Sequence, residues 1–425
     1  MATRNPVPMP SRQPSRSPSG RPASGVRRTS GGGQHGRPQR SLKKKLNFFN
    51  LSTGFDMHFF VLLMIILIVG LATLYSASHV YAFTYEGDSF FYISRQLIFA
   101  ALGVVAMLLI SMMDYHMLHR FAWPAWIVSL LLLVVAYFMP SATGVHRWVY
   151  IGSFSFQPSE IAKFALVILF AHLISLNHKR MDKAMVGFWP LLAILGITCG
   201  LVIIEPHLSG TMLIAMLGFF MMFVGGTKFR WLLGLCLCAA AVIVIMVLVL
   251  GYEQDRILVW QDPMAAFNNE VTFTDGMSGR DHAWQTVQSL FAIGSGGILG
   301  QGPGASRQKH LFLPEPQNDF IFSVFCEEMG LIGAILVLLL FALLVWRGFK
   351  IAMKAPDKFG CMLALGLTLQ IGLQVAINVA VVSNLLPNTG ISLPFFSYGG
   401  TSIFMLLVQM GVVLSVSRQA YLEKR

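Results

Sequence analysis

The chain has 425 residues, of which 55% are hydrophobic and only 12% charged, and its mean hydropathy is +0.65. A soluble domain carries about 25% charged residues, so this composition excludes a soluble globular protein and indicates a membrane one. The formal net charge of +12 does not point to nucleic acid, because the excess is concentrated in one terminal segment.

Residues 1–50 contain 11 Lys and Arg and no Asp or Glu. This stretch is rich in Pro, Ser, Gly and Arg, which predicts a disordered cytoplasmic tail. It serves either as a topology anchor that touches anionic lipid or as a tail that binds a partner. It is too long and too polar to be a cleavable signal peptide.

Ten apolar runs follow, at roughly 57–78, 95–112, 121–139, 157–176, 187–204, 208–225, 231–251, 320–346, 359–382 and 400–417. Each is about 18 residues or longer, enough to cross a hydrocarbon core of about 30 Å. The expected fold is therefore an all-α polytopic membrane protein with about ten transmembrane helices, spanning 51–420. Lys and Arg set its orientation. With the basic tail inside, "NHKRMDK", "GGTKFR" and "RGFKIAMKAPDK" also face the cytoplasm, as do both termini, including 421–425. One large extracytoplasmic loop, 252–319, joins the seventh and eighth helices. Within it "DHAWQTVQSLFAIGSGGILGQGPG" predicts an interfacial helix with Trp284, Val287, Leu290 and Phe291 on its apolar face. The glycine-rich turn after it lacks the GK[ST] of a phosphate loop. Cys199, Cys236, Cys238, Cys326 and Cys361 lie in or near apolar runs without metal-ligand spacing and are expected to be small packing residues.

Polar residues gather in four outward stretches. In "GVHRWVYIGSFSFQPSEIAKF", Arg147 precedes the fourth run and Pro158 suits its first turn. Glu160 and Lys163 are spaced to touch, either as a structural ion pair or as the wall of a polar pocket. "EPHLSGT" is a short acidic turn. In "GQGPGASRQKHLFLPEPQNDFIF", Arg307 and Lys309 lie near Glu315 and Asp319. Asp319 either caps the eighth helix or takes part in chemistry, and Glu327, deeper in that helix, is expected to make a structural hydrogen bond. "NLLPNTGISLPFFSYGGTS" carries hydroxyls at Ser397 and Tyr398, and irregular backbone near membrane depth belongs where it lines a cavity.

Three of these motifs, "HRWVYIGSFSFQPSEIAK", "QSLFAIGSGGILGQGPGASRQKHLFLPEPQNDFIFSVFCEEMGLIG" and "LLPNTGISLPFFSYGGTS", resemble the SEDS family (shape, elongation, division and sporulation). The likeness covers about 55–420 and is strongest to the division branch, FtsW and its sporulation sibling SpoVE. It departs from the family pattern in Asn318, which stands in place of Thr, and in "EPHLSGT". The family's form of that turn is "QPDLGT", so His207 replaces an acid.

The resemblance implies a bacterial peptidoglycan glycosyltransferase at the division septum, multi-pass in the cytoplasmic membrane. Lipid II and the nascent glycan chain would be its substrates. A class B penicillin-binding protein, which crosslinks the glycan, and other divisome membrane proteins would be its partners. It makes Asp319 the catalytic residue, as general base or, with Glu315, as ligand to a divalent cation such as Mg or Mn. Arg147, Lys163, Arg307 and Lys309 would face the departing pyrophosphate. Gln157, Ser159, Glu160, Glu315, Ser397 and Tyr398 complete the expected substrate site. A lipid II flippase and a divisome scaffold without catalysis are the alternative readings.

Overall fold

The computed structural model describes residues 54–139, 147–151, 154–205, 207–248, 254–271, 273 and 278–422. The expected disordered tail, the end of the seventh apolar run and residues 423–425 lie outside the described residues. Among the described residues the helices are α1 (Met57–Glu86), α2 (Phe91–Met112), α3 (His116–Phe138), α4 (Pro158–Asn177), α5 (Trp189–Ile204), α6 (Leu208–Val224), α7 (Phe229–Leu248), α8 (Gln254–Gln261), α9 (Pro263–Phe267), α10 (Gly279–Gly296), α11 (Ile321–Met353), α12 (Lys358–Val382) and α13 (Gly400–Leu422). An antiparallel pair of three-residue strands, β1 (Val149–Ile151) and β2 (Phe154–Phe156), is the exception to the all-α expectation.

Each apolar run became a helix for the same reason: without water, backbone polar groups must pair within the segment. Eight helices are long and apolar enough to cross a membrane, while α6 and the described apolar part of α7 are shorter. Asp56 caps α1 by accepting from Phe59 N at 3.0 Å, and also pairs with Arg347 of α11 at 2.8 Å. Pro158 occupies the first turn of α4, where no N–H is needed. The interior is built from α4, α12 and α13, whereas α2, α3 and α7 turn large apolar side chains outward. Cys236 and Cys238 on α7 are exposed and so are not packing residues; Cys326 is buried.

The eighth run is not one continuous helix. Gly330 interrupts α11 at φ +64°, a conformation that only glycine adopts cheaply. The glycine-rich turn after α10 is knitted into this break. Gln301 N and Gly302 N donate to Glu327 O and Glu328 O, both at 3.0 Å, and Leu331 N donates to Gly297 O at 2.9 Å. The freed carbonyls of the broken helix thus find partners in protein. A Cβ on Gly330 would lie 2.3 Å from Gly300 N. Gly330→Ala is therefore expected to cost about 1–3 kcal/mol or more, read as a lower unfolding midpoint in detergent.

The interfacial helix forms as α10, but with a different buried face. Ala283, Thr286, Val287, Ser289 and Ala292 face inward, while Phe291 is exposed. Small residues permit close approach to α11 and α12, where Ser289 Oγ meets Ser323 Oγ at 2.7 Å and donates to Val382 O at 2.9 Å. In a bilayer such packing outweighs the pull of a hydrophobic stripe.

Candidate active site

The four polar stretches meet at one cavity of about 800 Å³. The α3–α4 connection brings Arg147, Trp148 and Gln157, and the first turns of α4 add Glu160 and Lys163. The α5–α6 turn contributes His207 and Ser209. Glu315, Asn318 and Asp319 come from the segment ahead of α11, and Gly390, Ser392 and Tyr398 from the α12–α13 connection.

Asp319 is held by its backbone. Asn378 of α12, itself buried, donates through Nδ2 to Asp319 O at 2.8 Å and to Ile391 O at 2.6 Å. The N-cap position of α11 is Phe320, with no side-chain cap bond, so the capping alternative for Asp319 falls away. Its half-buried carboxylate accepts no hydrogen bond from any described residue. Space over it is kept by Gly390, at φ +66°, where a Cβ would stand 3.0 Å from Asp319 Oδ2. Burial lifts the carboxyl to about 6, with Glu315 adding to the rise and Arg147 opposing it. Glu315 lies at φ +43° and its Oε2 accepts from Asn318 Nδ2 at 2.7 Å.

Arg147 reaches the cavity with a buried Nε that lacks a partner. Burial and then Arg256 pull it below its usual value, while Asp319 and Glu205 hold it up. Lys163 bonds Glu160 at 2.6 Å, both buried. The pair presents little net charge, so Lys163 is a weaker anion site than its residue type suggests. His207 meets Gln157 at 3.1 Å and is pushed down to about 3 by burial, then by Arg147 and Lys163. It is therefore neutral at physiological pH.

Four expected site residues lie off the cavity. Lys309 is wholly buried and donates to Glu328 at 2.9 Å, Gly304 O at 2.7 Å and Ser76 Oγ at 3.1 Å. A lysine removed from solvent needs a counter-ion, and Glu328 supplies it within the bundle. Arg307 is exposed, and it is its backbone N–H that acts, donating to Glu327 Oε1 at 3.0 Å. Glu327, which also accepts from Ser306 Oγ and Gln308 N, makes the structural bonds expected of it. Ser159 is 1% exposed and does not line the cavity. Ser397 accepts from Leu393 N and donates to Asn318 O, both at 2.8 Å, so it holds the Asp319 segment in place rather than lining the cavity.

Sequence reasoning missed Arg95, an exposed cation on α2 that lines the cavity beside Ile98, Phe99 and Leu102. Ile98 and Leu102 are 61% and 55% exposed. They give the cavity an exposed apolar stretch of lining. The signal was an arginine at the very start of the second apolar run, which the structure places one turn inside α2, a position costly in lipid unless it serves a site. Among the described residues no group of three or more His, Cys, Asp or Glu is placed to hold a metal. Glu315 and Asp319 do share the cavity, and two carboxylates with substrate phosphates suffice for a hard divalent cation.

The cell cycle protein family model of FtsW, RodA and SpoVE matches residues 56–422. Stage V sporulation protein E of Bacillus subtilis (strain 168) is 38% identical over 86% of this chain and 98% of its own length. The probable peptidoglycan glycosyltransferase FtsW of Geobacter sp. (strain M18) is 36% identical over 86% and 97%. Among solved structures, a chain of a peptidoglycan synthase complex that coordinates polymerization and crosslinking superposes with a TM-score of 0.70 at 26% identity, covering 86% of this chain and 98% of that one. The rod shape determining protein RodA of Thermus thermophilus superposes with a TM-score of 0.61 at 26% identity and the same coverage.

Proposed function

This chain belongs to the FtsW/RodA/SpoVE family, and on that footing we propose that it is a peptidoglycan glycosyltransferase that polymerises lipid II. The observation that carries the reading is a carboxylate that accepts no hydrogen bond from any described residue, Asp319, in a cavity lined by two arginines and by exposed apolar side chains. A sugar with a charged diphosphate and a polyprenyl tail matches that combination. The cavity end faces the outer side of the membrane, as the distribution of Lys and Arg requires.

The reaction joins two sugars. The 4-hydroxyl oxygen of N-acetylglucosamine on an incoming lipid II attacks the anomeric carbon of the growing chain. The bond from that carbon to the diphosphate oxygen breaks, and undecaprenyl pyrophosphate leaves with the electron pair. Asp319 takes the hydroxyl proton as attack develops. Arg147 and Arg95 hold the diphosphate, Arg147 being suited to bidentate contact, and the tail lies along Ile98 and Leu102. In the alternative reading, Glu315 and Asp319 would hold a divalent cation that neutralises diphosphate charge, and Asp319 would be its ligand rather than the base. Rates compared across Mg, Mn and chelator test for it, and no change on chelation removes it. Confinement of the polar lining to one end of the bundle supports transfer over flipping.

A class B penicillin-binding protein is the proposed partner, at the division septum. The likeness to a chain of a polymerising and crosslinking complex supports a crosslinking partner. Purified with such a partner, the chain is expected to convert lipid II to glycan polymer; no product from a confirmed complex would reject the reading. Arg95→Ala and Arg147→Ala are each expected to raise KM for lipid II by about tenfold, one charged contact each. An unchanged KM in steady-state kinetics would remove that arginine from the diphosphate.

A further inference from the structure

Tyr75, Tyr81, Tyr85 and Tyr92 crowd the outer end of α1 and the start of α2. Three of them continue a row that begins in the cavity. Tyr398, which lines the cavity, meets Tyr92 of α2 edge to face, with ring centroids 4.8 Å apart. Tyr92 meets Tyr81 of α1 at 6.2 Å, and Tyr81 meets Tyr85, one turn further on, at 4.4 Å. Tyr398, Tyr92 and Tyr81 are half-buried, whereas Tyr85 is 65% exposed. None of the four hydroxyls bonds another described residue. Tyrosines at a membrane surface ordinarily form a belt against the lipid, but two features set this row apart. Its rings touch one another in succession, starting from inside the cavity. And α1 runs 30 residues from the Asp56–Arg347 pair at its inner end. That is about 45 Å at 1.5 Å per residue, longer than a hydrocarbon core of about 30 Å. Tyr81 and Tyr85, in its last two turns, therefore stand beyond the acyl chains.

We propose that Tyr398, Tyr92, Tyr81 and Tyr85 form a track that binds the nascent glycan strand as it leaves the cavity. This rests on the transferase reading in one respect, that the cavity makes the strand. A pyranose offers a face of C–H groups, which lies on the electron-rich face of an aromatic ring. It also offers hydroxyl and acetamido groups at its rim, which bond to phenolic oxygens. A row of rings with unengaged hydroxyls supplies both kinds of contact several times over, as a repeating polymer requires. Glu315 on the cavity and Glu86 at the end of α1 are charged neighbours of Tyr81 and Tyr92, and their carboxylates accept from further sugar hydroxyls. The strand is a polar polymer and must pass from the cavity into water. The row runs from the cavity to beyond the acyl chains, which is the path such a strand needs. A strand gripped there stays with the enzyme between additions, so the track lengthens the product.

The test is binding of a soluble octasaccharide of alternating N-acetylglucosamine and N-acetylmuramic acid to the full chain with its partner, beside the length of polymer made from lipid II. Wild type is expected to bind the octasaccharide. Tyr81→Ala and Tyr85→Ala are each expected to weaken binding about two- to tenfold, the worth of one aromatic contact. The double variant Tyr81→Ala/Tyr85→Ala is expected to make shorter polymer. Tyr81→Phe and Tyr85→Phe, which keep the ring, are expected to retain most of the affinity. Phe83, 66% exposed on the same stretch of α1 but outside the row, is the control. A belt against lipid predicts that Phe83→Ala acts as Tyr85→Ala does; a track predicts that it binds as wild type. Unfolding midpoints in one detergent show which variants are folded, and the exposure of Tyr85 makes its truncation the mildest. No binding by wild type, a folded double variant that binds as wild type, or Phe83→Ala weakening binding equally would overturn the proposal. The expected binding pattern without polymer from lipid II would sustain the track and reject the transferase reading. Polymer without octasaccharide binding would do the reverse.

Discussion

Asp319→Ala is expected to lower glycan polymerisation by about 10²–10⁴-fold while leaving the fold and partner binding intact. The separation is possible because the carboxylate does no structural work. It caps no helix and receives no hydrogen bond from any described residue, and the bond that holds the residue runs from Asn378 to its carbonyl, which alanine retains. Asp319→Asn keeps the shape and removes the base, so it is expected to be as inactive as alanine. The wild-type pH profile carries a second signature. A base works ionised, and burial has moved this carboxyl to about 6. The rate is therefore expected to be level above that pH and to fall about tenfold per unit below it. Equal polymer from wild type and a folded Asp319→Ala would take Asp319 out of the chemistry. A flat profile from pH 7 to 4.5 would take away its role as base.

Lys309→Ala is expected to destabilise the protein by about 3–5 kcal/mol, because it leaves Glu328 without its counter-ion in the interior. Lys309 is 0% and Glu328 4% exposed at the side chain, 2.9 Å apart, with Ser76 of α1 donating to the same Glu328 oxygen at 2.6 Å. The network ties α1, the 301–319 segment and α11 together just before the Gly330 break. Removing both charges in Lys309→Met/Glu328→Leu is expected to cost much less than either single change, since no orphaned ion remains. Unfolding midpoints of the four proteins in one detergent make the comparison. A double variant as unstable as the singles would mean that the ion pair is not the reason. Polymerisation by the folded double variant is expected to persist, whereas a lysine bound to the leaving group would abolish it.

The helices followed from local physics that hydropathy records directly: an apolar run of membrane length has no other way to satisfy its backbone. The start of α4 at Pro158 and the touch of Glu160 and Lys163 were legible for the same reason, since both depend on neighbours within one turn. So was the convergence of the four polar stretches, because topology alone sends them to one end of the bundle. What pairs with what across the bundle was not legible. Lys309 and Arg307 read alike in the sequence, yet one is buried against Glu328 and the other is exposed. The choice depends on Ser76, 233 residues away from Lys309. Gly330 read as one more small residue in a long span. Its break exists because the turn at Gly297–Gly302 supplies donors and acceptors from the other side. Arg95 was lost in an averaged apolar run, although it reaches the cavity. The sequence by itself determined which segments form apolar helices, eight of them long enough to cross a membrane, and which polar stretches gather at one cavity. Only the tertiary structure decided which of those residues face the cavity and which are consumed in holding it, because that choice rests on contacts between segments remote along the chain.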